Sequence, residues 1–183
     1  MNTRRVAIVV PIVAVAVAMS FLWPYFTQST VDEALPEGAI IPPGNDPDAL
    51  SDMGADVTLN EEMPADIAAG ETGSMPTVYS GTFVGVNDGI HHAEGEAYTV
   101  PLNDGSTILR LENFASTNGP DLYVYLATDT SADDYVNLGP LKANMGNQNY
   151  LIPDGTDLDK YDEVLIWCKP FSVWFGTAEL SPS

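Results

Sequence analysis

The chain has 183 residues, with 26 acidic against 6 basic side chains, a net charge of −20 and an apolar fraction of 45%. So acidic a chain repels phosphate backbones, whose binding depends on lysines and arginines displacing counterions, and this excludes a nucleic-acid binder. The length fits one domain of ordinary size with further segments attached. The charge shows where they divide: +2 over residues 1–26, eleven acids and no base over 27–76, fifteen acids and four bases over 77–183.

The stretch VAIVVPIVAVAVAMSFLWPYF, Val6 to Phe26, is 21 residues without a charge. As a helix it would be about 30 Å long, the thickness of a bilayer core. Arg4 and Arg5 precede it, and the next base is Arg110. The positive-inside rule therefore predicts a cytoplasmic N-terminus with everything after Phe26 on the outside. A cleaved secretory signal is the competing reading, but the run exceeds a usual h-region and no small-x-small site follows it. Trp23, Tyr25 and Phe26 read instead as an interfacial aromatic belt. Residues 1–26 are thus expected to be a single-pass anchor in the cell membrane, carrying an extracytoplasmic domain.

Residues 27–76 are rich in Pro, Gly, Ala and acids and show no sustained period of 2 or 3.6, so they cannot bury enough apolar area to offset their ordering entropy. They read as a disordered, self-repelling linker that holds the domain off the membrane, with Ala39 to Ile41 as a patch able to dock locally. From Thr77 the texture changes to short β-prone runs at intervals of about ten residues, as in an all-β sandwich or barrel. The expected strands are Thr77–Val86, Gly95–Val100, Thr107–Asn113, Leu122–Ala127, Val136–Leu141, Asn147–Ile152, Val164–Cys168 and Phe171–Leu180. Asn103-Asp104-Gly105 is a hairpin signal, since these residues tolerate the positive φ of primed turns. The expectation is an antiparallel β-sandwich of about eight strands over residues 77–183.

Cys168 is the only cysteine. Period two places it on one strand face with Val164 and Ile166, and Leu165 with Trp167 on the other. Both faces being apolar, the strand is central, and Pro170 ends its ladder. A free cysteine packs well as a small hydrophobe. Yet structural cysteines outside the cytoplasm usually come in pairs, so an odd one also reads as a reactive thiol, an intermolecular disulfide or a ligand. A blue-copper site is excluded, because KPFSVWFG after Cys168 supplies neither the His nor the Met such a site needs. His91 and His92 are the only histidines and lie in an acidic loop. Imidazole and thiolate both ligate haem iron, so Cys168, His91 and His92 are candidate haem ligands, with Met145 a further soft donor. No CxxCH motif occurs, so a haem would be held noncovalently. The acid run PDGTDLDKYDE departs from the EF-hand pattern and reads as a solvated connection. No Ser-His-Asp set, phosphate loop or zinc spacing is evident.

Several stretches together, PDLYVYL (120–126), LGPLK with GNQNYLIP (138–153) and VLIWCKPFSVWFGTAEL (164–180), with Gly81-Thr82-Phe83 and His92 three residues before Gly95, resemble the DM-thirteen domain. This is a DOMON-associated module described as an electron-transfer domain. The resemblance covers nearly all of Thr77 to Leu180. It implies a small extracytoplasmic β-sandwich, a family cysteine at Cys168, and a redox role through a bare thiol or a prosthetic group such as haem. The DOMON and cytochrome b561-like modules that accompany the family elsewhere are not in this chain.

Two functions follow. The first is a membrane-anchored redox or electron-transfer domain centred on Cys168 and working with a redox protein partner, a module rather than a turnover enzyme. The second is a non-catalytic surface module for a glycan, wall polymer or protein. Its stacking face would come from Tyr79, Tyr98, Tyr123, Tyr125, Trp167 and Trp174.

Overall fold

The computed structural model describes residues 28–40, 76–86 and 88–183. The expected membrane span lies outside them, and among the described residues no helix is long and apolar enough to cross a membrane. The described chain is all-β, with eleven strands: β1 Thr30–Asp32, β2 Tyr79–Thr82, β3 Val84–Gly85, β4 Ala93–Pro101, β5 Thr107–Ser116, β6 Leu122–Ala127, β7 Tyr135–Pro140, β8 Met145–Ile152, β9 Glu163–Cys168, β10 Val173–Glu179 and β11 Ser181–Pro182. They form a six-stranded sheet in the order β1-β8-β5-β4-β2-β11 and a five-stranded sheet in the order β3-β10-β9-β6-β7.

Alternation decides which side chains meet between the sheets. Leu109 and Leu111 of the first sheet pack with Leu122, Val124, Leu126, Val164, Ile166 and Cys168 of the second in one buried core. At roughly 25 cal/mol per Å² of apolar area removed from water, such a core is the main stabilising contribution. The outer face of the five-stranded sheet holds a second, smaller cluster, in which Tyr125, Ala127 and Leu165 are covered by Tyr123, Ala132 and Trp167.

Three features depart from the sequence expectation. The run Thr77–Val86 is not one strand: Phe83 turns inward to the core, and the chain passes from β2 in one sheet to β3 in the other. The 102–106 hairpin is not a primed turn. Gly105 alone has positive φ, at 87°, and its N–H donates to the Leu102 carbonyl at 3.0 Å. This is the three-residue type of hairpin with glycine in the left-handed position.

The third concerns residues 28–40, which composition placed in the linker but which pack along the domain. β1 pairs in parallel with β8, Thr30 opposite Met145 and Asp32 opposite Asn147, so the first sheet is mixed rather than purely antiparallel. The approach is close because residue 146 is glycine: its φ is +100°, and a Cβ there would run into the Val31 carbonyl oxygen. Glu33 fixes the segment, its carboxylate accepting from Lys142 Nζ at 2.8 Å and from the Asn149 N–H at 2.7 Å. The buried Arg110 donates to the Glu33 carbonyl at 2.5 Å, to Asn149 at 2.9 Å and to Glu112 at 2.6 Å. A buried guanidinium is tolerable only when so engaged. Further on, Ala39 bridges to Leu102 and the Ile40 N–H donates to the Pro101 carbonyl at 2.8 Å.

Candidate functional site

Cys168 is the last residue of β9, opposite Leu122 of β6 and Val173 of β10. Its sulfur is fully enclosed, and Sγ–H donates to the Pro120 carbonyl at 3.2 Å. Burial pushes the thiol pKa up and the Asp121 carboxylate adds to this, against a lowering contribution from the Phe171 N–H. The thiolate is the nucleophile in disulfide exchange, so burial here works against that chemistry. Lys169 does not relieve it. Its ammonium lies over the Tyr123 ring, 5.1 Å from the centroid, on the outer side of the sheet.

His91 and His92 do not join Cys168. His91 Nδ1 sits 2.6 Å from Asp88 and its ring packs edge-on against Phe175, with centroids 4.5 Å apart. Asp88 also accepts the N–H groups of His91 and Ile90, and these bonds with the imidazole lower its pKa to about 2. His92 is half-exposed, with Nε2 3.4 Å from Glu94. Met145 belongs to the other sheet, paired with Thr30 and Ala115. Among the described residues no three His, Cys, Asp or Glu side chains come together to hold a metal ion. A haem ligated by Cys168 does not fit these surroundings, since the sulfur is closed in by core side chains and already directed at a carbonyl. No step is derived through one.

In the acid run, Asp159 accepts the Tyr79 hydroxyl at 2.8 Å and Asp157 caps its own turn by accepting the Asp159 N–H.

The aromatic residues divide differently from the expected stacking face. Tyr125 is only 2% exposed, stacked on Tyr135 at 4.2 Å, with Trp167 at 6.3 Å and Tyr123 at 6.0 Å. Burial first, then the neighbouring Tyr135, raises its phenol pKa to about 12. Tyr123 and Trp167 are directly paired across β6 and β9, one step along from the Leu122–Cys168 pair. Trp167 is likewise paired with Trp174 on β10. These two tryptophans, with Asp88, His91, Thr130, Ser131 and Ser172, line a shallow cleft of about 350 Å³. A larger depression of about 670 Å³ lies on the six-stranded sheet around Tyr98, Glu96 and Glu112. Glu112 there is committed to Arg110 and accepts the Tyr98 hydroxyl at 3.3 Å.

Sequence reasoning found Cys168 and its strand faces but missed its partner, the carbonyl of Pro120, which lies 48 positions away and carries no side-chain signal. It also missed the Asp88–His91 pair, for which the spacing of three residues in a turn was the available clue.

The fold and site define a two-sheet β-sandwich that encloses a single thiol at one end. A family model described as Electron transfer DM13 matches residues 83–180, more than half of the chain, and the chain belongs to that family. No curated protein and no solved structure matches it.

Proposed function

We propose that this chain is a membrane-anchored, extracytoplasmic electron-transfer domain in which Cys168 exchanges single electrons without leaving the core. The family supports an electron-transfer role, and the apolar run with its flanking arginines supports the anchor. One observation carries the assignment to Cys168: the enclosed sulfur ends the strand whose preceding residue, Trp167, is paired with Tyr123 on the outer face. A strong one-electron oxidant brought by a partner, with a potential at or above that of the tryptophan and tyrosine radicals, removes an electron from the Trp167 or Tyr123 ring. Cys168 refills that ring as its S–H proton passes to the Asp121 carboxylate, whose charge reaches the thiol. A one-electron donor later restores the thiol with uptake of a proton.

The test combines visible absorption of the purified protein, with and without added haem, and thiol titration before and after unfolding. The proposal expects no haem spectrum, no labelling of folded protein and one thiol per chain on unfolding. A stoichiometric haem spectrum abolished by Cys168→Ala would replace the bare thiol with a ligated iron, and rapid labelling of the folded protein would return it to disulfide chemistry.

The Trp167–Trp174 cleft favours a second reading, a binding module for a glycan or wall polymer. Apolar rings beside hydroxyls and one carboxylate suit a sugar ring. Loss of polysaccharide binding in Trp174→Ala, with Cys168→Ser unaffected, would favour it.

A further inference from the structure

The two ends of the sandwich differ in charge and apolar exposure. At the end where Cys168 lies, the connections are residues 86–92, 117–121, 141–144 and 169–172. They carry Asp88 and Asp121 against Lys169, while Lys142 is turned back along β8 onto Glu33, so the excess is a single acid. They also display Ile90 and Phe171, which are 70% and 68% exposed. At the opposite end the connections are residues 102–106, 128–134 and 153–162. These hold eight aspartates against the single Lys160.

The docked N-terminal segment enters the fold at the thiol end. The Ser29 N–H donates to Asn144 Oδ1 at 2.6 Å, and the Ser29 carbonyl accepts the Met145 N–H at 3.1 Å. β1 then runs alongside β8 toward the acidic end, where Ile40 meets Pro101. The acidic stretch 41–75 is bracketed by described residues at that far end, Ile40 before it and Tyr79, bonded to Thr99 and Asp159, after it. It therefore does not separate the sandwich from the apolar run. Only Thr27 and Gln28 stand between Phe26 and Ser29, and an extended chain covers about 10 Å in those three steps.

From this, and resting on the proposed anchor, we infer that the thiol end of the sandwich lies on the lipid headgroups, with Phe171 and Ile90 set into the interface and the aspartate-rich end turned away. A headgroup layer is itself about 5–7 Å thick, so a 10 Å reach leaves no room for a spacer. Its much smaller acid excess lets this end approach a membrane surface that would repel the other. The orientation turns Cys168 toward an electron carrier held in the membrane.

The test uses the full chain in phosphatidylcholine vesicles containing spin-labelled lipid that quenches fluorescence at headgroup depth. A fluorophore is attached to Phe171→Cys, Ile90→Cys or Asp154→Cys in a Cys168→Ala background. Flotation with the vesicles is measured on the same samples. The proposal expects flotation, with several-fold stronger quenching at 171 and 90 than at 154. Flotation with equal quenching at all three positions, or none, overturns it while leaving the anchor in place. Failure to float overturns the anchor and this orientation together.

Discussion

Cys168 and Pro120, 48 positions apart, are joined by a thiol-to-carbonyl hydrogen bond of 3.2 Å, and the next residue repeats the tie, the Lys169 N–H donating to the Asp121 carbonyl at 3.3 Å. The pair closes the end of β9 onto the connection into β6. Replacing Cys168 by Ala removes the sulfur from a close-packed site and leaves a half-buried carbonyl without its donor. We expect a loss of about 1–2 kcal/mol by chemical denaturation. An unchanged midpoint and slope would show that the bond contributes nothing.

The raised thiol pKa gives a pH dependence with a definite sign. The folded protein holds the proton more tightly than the unfolded chain, so the stability from this group is complete below the ordinary thiol pKa and is lost as pH rises through the folded value. Denaturation of the native protein and of Cys168→Ala above neutral pH should therefore converge. Parallel curves across that range would contradict the assignment.

Glu33 gives the opposite sign. Burial works against its charge, but the bonds from Lys142 and Asn149, together with the charges of Lys142 and Arg110, outweigh it and hold the carboxyl below its usual range. The contribution of Glu33 is present above the usual glutamate pKa and lost as pH falls through the depressed value. Glu33→Gln should weaken protection of the Met145 amide, which donates to the Ser29 carbonyl of the docked segment, against hydrogen exchange at neutral pH. The difference from the native chain should fade on acidification, whereas a constant difference would argue against an electrostatic clasp.

Gly146→Ala should undock the N-terminal segment, because the added Cβ meets the Val31 carbonyl and the backbone there has φ of +100°. A non-glycine residue in such a region costs about 1–3 kcal/mol before any clash. Limited proteolysis should then cleave within residues 28–40 while the rest of the domain stays intact. Resistance equal to that of the native chain would show that β1 is held without this approach.

Leu165→Ala should cost about 2–5 kcal/mol, since Leu165 is fully buried beneath Trp167 and Tyr125 on the outer sheet face. A loss under 1 kcal/mol by urea denaturation would mean that this second cluster is loosely packed.

Much of the sandwich was legible because strand alternation is a strong signal where both flanks are polar. β6 falls on the expected Leu122–Ala127, with Leu122, Val124 and Leu126 in the core and Tyr123 and Tyr125 outside. The two-faced apolar character of β9 was equally readable, as Val164, Ile166 and Cys168 face the core while Leu165 and Trp167 face the outer cluster. The break at Phe83 was not legible, because a β-prone run carries no mark of which sheet each half joins. Nor was β1, a strand of three residues whose hold on the fold comes from Gly146, Lys142 and Arg110, all more than 70 positions away. For Cys168, sequence left packing, reactivity and ligation open, and the quantity it could not supply was the burial of the sulfur against the Pro120 carbonyl.

The central claim is that the enclosed sulfur of Cys168 exchanges electrons with the aromatic rings on the other face of its sheet. Flash-generated tris(bipyridine)ruthenium(III), a cationic one-electron oxidant attracted to this acidic protein, would oxidise a surface Tyr or Trp, and transient absorption would follow the ring radical. The account predicts a ring radical that decays severalfold faster in the native chain than in Cys168→Ala. Equal decay in the two proteins would contradict it.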